Sequence, residues 1–289
     1  MAAKALESSH PDYAVLQPLA AALYRHAGGP AEFGRKVPPI FRQAVDEVVD
    51  APRTNRFVLS ELEKTEKTYL GTKVEILLRN LLGLPKGRVL DLSVDGVEVD
   101  IKNTTQSNWT IPLESHGRPA VLLRFDERRA LCDTGLVVVR PEYLNAGQNR
   151  DAKKTLSQSG LTNVWWMLHQ QPYPPNFWEV LPAKDRMEIF AAGSASARLA
   201  ELFTKLQRRP ISRLQVQAVA QQHDYMKRLR RNGGARDILA DRGIALLSGR
   251  SDAPLIQMLG LPAVTAEEVI SISPGSGEEA RLLAAQGQL

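Results

Sequence analysis

Apolar positions in the first eighty residues recur at helical spacing. Residues 12–27 and 39–50 each carry an apolar stripe, with Pro38 and Pro39 marking the start of the second and Pro52 its end. A longer run opens at Ser60-Glu61-Leu62-Glu63, carries Leu62, Tyr69, Val74, Ile76, Leu77 and Leu81, and stops at Gly83 and Pro85. The period then changes. Val89–Val94 and Val97–Ile101 are short, β-rich and alternating, and Asp95-Gly96 lies between them, a strong hairpin signal. Ala120–Phe125 and Gly135–Val139 read as further strands. The proline-rich stretch at 171–177 reads as a linker. Helical runs follow at 183–208 and 211–232, then a Gly233-Gly234 break, a short helix from Ala235 and a strand-like Gly243–Leu247. The pattern predicts an α/β (α+β) first domain at 1–170, a mixed sheet flanked by helices. A linker at 171–178 leads to a mostly helical, winged-helix or helix-turn-helix-like domain at 179–289.

Composition narrows the chemistry. The 289 residues are 43% hydrophobic and 24% charged, an ordinary globular balance with ample apolar content for a core. The formal charge of +5 permits a polyanionic partner without demanding one. A single cysteine, Cys132, leaves no internal disulfide and no cysteine-rich zinc site. No run approaches the roughly 18 apolar residues of a membrane span. The apolar stretch Ala14–Tyr24 is broken by Gln17 and Pro18 and follows Glu7 and Asp12, unlike a signal peptide. A soluble protein of a reducing cytoplasm is expected. The chain has no G-x-x-x-x-G-K-[ST], G-x-G-x-x-G or G-x-S-x-G motif, and its five histidines are scattered without H-E-x-x-H spacing. Phosphate-loop enzymes, elbow hydrolases and zinc hydrolases are thereby disfavoured.

The hairpin carries the candidate chemistry. With a two-residue turn at Asp95-Gly96, Val94 faces Val97, Ser93 faces Glu98, Leu92 faces Val99 and Asp91 faces Asp100. Residues directly opposite share a face, and Lys102 lies two residues beyond Asp100 on that same face. Opposed carboxylates repel unless something compensates, and a divalent cation with oxygen ligands such as Mg²⁺ does so. Two acids, a cation and an adjacent lysine are the parts of metal-dependent phosphodiester hydrolysis. The competing reading is a solvated charged face. On the preceding helix Glu75 sits between Val74 and Ile76, either pointing out at the helix edge or serving a site.

The second half has its own signal. Between Lys205 and Arg236 lie nine basic residues and one acid, Asp224. Arg213, Lys227, Arg228, Arg230, Arg231 and Arg236 are candidate phosphate contacts, with a solvated basic face as the alternative. Gln221 and Gln222, placed on the same predicted helix, are weaker candidates for reading adenine edges.

Longer runs carry a resemblance. They are Lys64-Thr65-Glu66-Lys67-Thr68, Gly71-Thr72-x-Val74-Glu75-Ile76, Gly96-Val97-x-Val99-Asp100-x-Lys102 and Trp109-x-x-Pro112-x-Glu114-Ser115-x-Gly117. In the second half they are Ala218-Val219-Ala220-Gln221-Gln222-x-Asp224-x-Met226-Lys227-Arg228 and Gly233-Gly234-Ala235-Arg236-x-Ile238-Leu239. In this order the chain resembles the NaeI-type (type IIE) restriction endonucleases, with a PD-(D/E)xK-like site. The resemblance implies a type II site-specific deoxyribonuclease, a Mg²⁺-dependent endonuclease domain and a second DNA-binding effector domain. It also implies a homodimer that binds two copies of its double-stranded DNA site, and a companion DNA methyltransferase. Asp91, Asp100 and Lys102 then take the catalytic positions and Glu75 the helix-borne acid. Asp91, Asp100, the Ile101 carbonyl and Glu75 are the expected metal ligands. The segment from Trp165-Trp166 to Trp178 matches poorly. A nicking, junction or repair endonuclease and a non-enzymatic DNA-binding regulator are the rival readings.

Overall fold

The computed structural model describes residues 4–289; residues 1–3, the start of the expected first domain, lie outside them. In chain order the helices and strands begin with α1 (Tyr13–Ala27), α2 (Pro30–Val49), α3 (Ala51–Thr54) and α4 (Lys64–Leu82). Next come β1 (Leu92–Val94), β2 (Val97–Thr104), β3 (Thr110–Ile111), β4 (Pro119–Asp126), β5 (Leu131–Val138), β6 (Lys154–Thr155), α5 (Gln158–Thr162) and β7 (Trp165–Pro172). The second half holds α6 (Phe177–Val180), α7 (Ala183–Ala191), α8 (Ala195–Lys205), β8 (Ile211–Ser212), α9 (Arg213–Ala220), α10 (Ala235–Asp241), β9 (Ala245–Ser248), α11 (Ala253–Met258), β10 (Glu268–Ile272) and α12 (Gly277–Ala285). These form two compact units, Met1–Val49 with Val58–Phe177, and Asp50–Phe57 with Trp178–Leu289.

The first unit is built on a five-stranded mixed sheet, order β1-β2-β4-β5-β7, in which only β2 and β4 run parallel. Alternation along β2 separates two environments. Val99 and Ile101 are buried on one face, and Asp100 and Lys102 lie on the other. The Asp100 face is not open to solvent along its length. Ala120, Leu122 and Val137 pack there with Trp109, Ile111, Tyr143, Leu156 and Val164 in one apolar cluster.

Two helix boundaries depart from expectation. Helix α2 starts at Pro30, nine residues before the predicted start, and runs through Pro38 and Pro39. An interior proline costs a helix about 3 kcal/mol. Phe33, Val37, Ile40 and Phe41 are all buried on α2, and at about 1.5–3 kcal/mol each their burial offsets that cost. Helix α4 begins at Lys64 rather than Ser60, after a 3₁₀ turn at Leu59–Glu61. Glu63 caps it, with its backbone N–H donating to Glu66 Oε2 at 2.8 Å. Gly83, at φ +61°, ends it in the left-handed conformation.

The segment expected as a linker enters the first unit. Gln171 and Pro172 belong to β7, where Gln171 pairs with Cys132. Tyr173 is buried and its hydroxyl donates to Glu127 at 2.6 Å.

In the second unit the strands order as β8-β10-β9, all antiparallel, over a core of Leu247, Leu255, Ile256, Ile270, Ile272 and Leu283. The run at 183–208 is two helices, broken between α7 and α8 where Ser194 caps the second by accepting from the Ala197 N–H. The run at 211–232 is not one helix. Ile211-Ser212 form β8, and α9 ends at Ala220. Gln221 is left-handed at φ +52°, and Tyr225–Leu229 is a 3₁₀ turn. The Gln221 side chain donates to Asn55 Oδ1 at 2.9 Å, so a residue 166 positions away holds the stop that local periodicity does not show.

Candidate active site

The hairpin register is as the sequence specifies: Leu92 opposite Val99, Ser93 opposite Glu98 and Val94 opposite Val97. Asp95 and Gly96 both take positive φ, +49° and +85°, the two-residue turn whose twist suits adjoining strands. Ladder hydrogen bonds alternate along an antiparallel pair, so Leu90 and Ile101 would form the next bonded pair beyond Leu92 and Val99. Strand β1 starts only at Leu92 instead. The Ile101 N–H is left to the carboxylates, donating to Asp91 Oδ2 at 2.9 Å and to Asp100 Oδ1 at 3.0 Å. The same alternation turns the Ile101 carbonyl toward that side.

Around this shared amide the charges are close. Lys102 Nζ lies 2.7 Å from Asp100 Oδ1 and 4.0 Å from Asp91 Oδ2. Ser115 Oγ donates to Asp100 Oδ2 from the 3₁₀ turn Leu113–Ser115. Asp100 is only 3% exposed, which removes the solvated-face reading for that residue. Helix α4 presents Glu75 and, one turn later, Arg79, whose guanidinium reaches the Asp91 carbonyl at 3.5 Å. Glu75 has no hydrogen-bond or ion-pair partner among the described residues. Burial first, then the negative charge of Asp91, pushes its carboxyl up to about 7, with Lys102 opposing.

The two aspartates divide the cost of proximity. Burial and Asp100 raise Asp91 above the ordinary carboxylate range. Burial works against ionised Asp100 too, yet hydrogen bonds involving Asp91, Lys102 and Ser115 hold it below that range. Asp91 is therefore the member that takes up a proton when nothing else neutralises the pair. A hard divalent cation is the natural replacement for that proton. The donor set suits it: two carboxylates meeting at one amide, a backbone carbonyl turned the same way, and no soft ligand. Among the described residues no three imidazole, thiolate or carboxylate side chains converge tightly enough to hold an ion unaided. Oxygens from the backbone, water or a phosphate would have to complete the shell.

Comparison with known proteins gives this geometry its setting. The model of the restriction endonuclease NaeI family matches residues 24–279. A type II restriction enzyme NaeI from Lentzea aerocolonigenes is 33% identical over 268 residues, covering 88% of this chain and 84% of that one. The chain belongs to the NaeI restriction endonuclease family. The matched span contains Glu75, Asp91, Asp100 and Lys102 as well as the basic region of the second unit.

That basic region is less uniform than its sequence. Lys205 pairs with Asp185 and Glu188, Arg208 with Glu279, Arg213 with Glu267 and Arg228 with Asp224. All but one of these acids lie outside the stretch that looked so basic. Arg231 donates to the Gly287 carbonyl, and Arg236, half-buried, donates to Gln288 Oε1 at 3.1 Å. Burial pushes the Arg236 guanidinium below its ordinary value. Lys227 and Arg230 are exposed and have no acidic partner among the described residues. Arg213, Arg230 and Arg236 meet at a cavity of about 210 Å³ walled partly by Met226 and Leu229. Gln222 is exposed; Gln221 is engaged in the turn and not on a helix shared with the basic residues.

Sequence reasoning passed over Ser115, Glu98 and Arg79 as parts of the site. Ser115 lies inside one of the runs that carry the family resemblance, without a role assigned by it. Glu98 enters the sequence reading only as the residue facing Ser93 in the hairpin. Arg79 carries the plainest signal, four residues after Glu75 on the same helical face.

Proposed function

We propose that this protein is a type II restriction endonuclease that hydrolyses phosphodiester bonds of double-stranded DNA at a specific sequence, using Mg²⁺ held at the β1–β2 hairpin. The observation that carries the reading is the Ile101 amide shared by Asp91 and Asp100, with Lys102 beside them. Asp91, Asp100 and the Ile101 carbonyl would hold the cation, with Glu75 as a further acid at its edge. A bound Mg²⁺ supplies Lewis-acid polarisation of a phosphoryl oxygen and a lowered water pKa.

The remaining chemistry belongs to the chain. The Lys102 ammonium orients a water and stabilises negative charge on it and on the phosphate. Glu75, half-buried and free of partners, accepts a hydrogen bond from a water at its carboxylate. Ser115 and the Ile101 N–H fix the rotamers of the aspartates, so little reorganisation accompanies reaction. Attack at phosphorus by the water oxygen breaks one P–O ester bond of the strand.

Cutting both strands needs two such sites, hence a homodimer. The second unit, with helices α8 to α10 and three short strands, is read as a winged-helix-like module. It would bind a further DNA copy through Lys227, Arg230, Arg231, Arg236 and Arg213 and thereby activate cleavage. A companion methyltransferase would protect the host's own sites. No helix among the described residues is long and apolar enough to cross a membrane.

Supercoiled plasmid incubated with Mg²⁺ is expected to give discrete linear fragments whose ends share one sequence. Open circles alone would indicate a nicking or repair enzyme. Tight DNA binding without cleavage under any divalent cation would indicate a regulator.

A further inference from the structure

Glu98 shares the acidic face with Asp100 and Lys102, one alternation before Asp100 along β2, yet it does not face the site as a ligand. Both of its carboxylate oxygens turn onto the backbone that precedes β1. Oε1 accepts from the Arg88 N–H at 2.7 Å, and Oε2 accepts from Val89 at 3.1 Å and Leu90 at 2.8 Å. Three successive amides are thus gathered on one ionised side chain. Charge-assisted bonds of this kind are about twice as strong as neutral ones. The wrap is tight: a Cβ on Gly87 would lie 2.6 Å from Glu98 Oε2 and 2.5 Å from the Leu90 carbonyl oxygen.

The consequence reaches the reactive pair through the ladder. Regular pairing would give Leu90 to Ile101. The Leu90 N–H is taken by Glu98, β1 starts only at Leu92, and the Asp91 carboxylate occupies the place at the Ile101 amide that a Leu90 carbonyl would take. Without Glu98, the segment 88–90 has three backbone donors to satisfy, and extending the ladder would satisfy one of them at the expense of the Asp91 contact. Glu98 also removes itself as a third carboxylate competing for the same cation.

We propose that Glu98 is a positioning residue: by holding the amides of residues 88–90 it keeps β1 from starting before Leu92 and sets Asp91 at the Ile101 amide, where the cation-binding pair is formed. This rests on the metal-site reading above. It concerns a step that reading does not supply, namely what brings Asp91 to the site.

The test compares wild-type protein with Glu98→Ala, Glu98→Gln, Glu98→Asp and Asp100→Ala. Hydrogen exchange of peptides spanning residues 87–102 needs neither metal nor DNA. Faster exchange across 88–90 and at Ile101 in Glu98→Ala, with the melting temperature of the rest of the chain retained, is the expected result. Calorimetric titration with Ca²⁺ alone should show an affinity loss of about 10–100-fold, the usual effect of removing a group that orients a metal ligand. Half-saturating Mg²⁺ for plasmid cleavage should rise by a similar factor, with much of the rate recovered at high Mg²⁺. Glu98→Gln, which keeps one acceptor oxygen, should recover part of both losses. Glu98→Asp, too short to span three amides, should resemble Glu98→Ala. If Glu98→Ala fails to fold, Glu98→Gln carries the test through the same readouts. Wild-type Ca²⁺ affinity, Mg²⁺ dependence and amide exchange in Glu98→Ala or Glu98→Gln would overturn the proposal. A wild type that binds no divalent cation, or an Asp100→Ala variant that still cuts, would instead overturn the metal-site reading, and the exchange data would stand apart from it.

Discussion

The hairpin of the first unit and the basic stretch of the second are both dense in charge, but they treat it differently. At the hairpin, like charges are brought together and left incompletely compensated: Asp91 against Asp100, Glu75 nearby without a partner, and one lysine among them. In the basic stretch, some cations that look uncompensated in sequence are met by acids from elsewhere, as Arg208 is by Glu279, Arg213 by Glu267 and Lys205 by Asp185 and Glu188. Like charges held together unresolved cost stability, and perturbed groups of this kind cluster at functional sites. A basic surface can neutralise some of its charges and leave the others to solvent or a polyanion. Local charge density in sequence is therefore a better guide where a strand register enforces it than where distant partners can cancel it.

The strongest break in that comparison comes at the hairpin. Lys102→Ala and Asp100→Ala should each cut the cleavage rate by about 10²–10⁴-fold, the range for a group acting directly on a reacting proton or charge. DNA affinity measured by mobility shift should stay near wild type. Loss of binding in step with cleavage would mean that these residues hold the fold.

On the other side, Gly234 tests whether backbone approach shapes the basic surface. A Cβ there would lie 2.1 Å from the Arg230 carbonyl oxygen, so Gly234→Ala must displace the 230–234 segment. A stability loss of about 1–3 kcal/mol is expected in chemical denaturation. Gly233→Ala meets no atom within 4 Å and tests φ alone, since Gly233 sits at +92°.

The unresolved charge at the hairpin should show in pH. Burial and Asp91 raise the Glu75 carboxyl to about 7, above its ordinary value near 4.5, so between these the folded chain binds a proton that the unfolded chain has lost. Its contribution to stability is then full below the lower value and lost as pH rises through the upper one. Without divalent cation, the melting temperature of wild type relative to Glu75→Gln should fall from pH 5 to pH 8. A flat difference would place Glu75 outside the influence of the aspartates.

The smallest effect separates free from cancelled cations. If about five cations meet phosphates, the slope of log affinity against log salt is about −4 to −5. Arg230→Ala and Lys227→Ala should each reduce its magnitude by about 1, while Arg208→Ala, already paired with Glu279, should leave it unchanged. Equal effects from all three would show that the ion pairs open on binding DNA.

What could be read without a structure follows the range of the interactions involved. Asp95-Gly96 sets a two-residue turn, the turn sets the register as far as Leu92 and Val99, and side-chain alternation sets Asp100 and Lys102 on the face that Asp91 joins just beyond the ladder. Each step spans a few residues. The strand β7 was hidden because Trp165–Pro172 mixes aromatic, amide and proline residues, and only pairing with β5 makes it a strand. The prolines of α2 read as a helix start because their cost is local, whereas the burial of Phe33 and Phe41 that offsets it is tertiary.

The sequence alone determined the α/β first half, the hairpin and its register, the acids and lysine gathered around it, and the excess of basic residues in the second half. These depend on backbone dihedral preferences and side-chain alternation, which neighbours in the chain fix. Only the tertiary structure decided that Glu98 takes the amides of residues 88–90, that Ser115 hydrogen-bonds Asp100, that Asn55 meets Gln221 at the turn after α9, and which arginines pair with acids. Those outcomes turn on donors and acceptors that meet only when the folded chain closes the distance between them, and a buried polar group must find such a partner wherever in the sequence it lies.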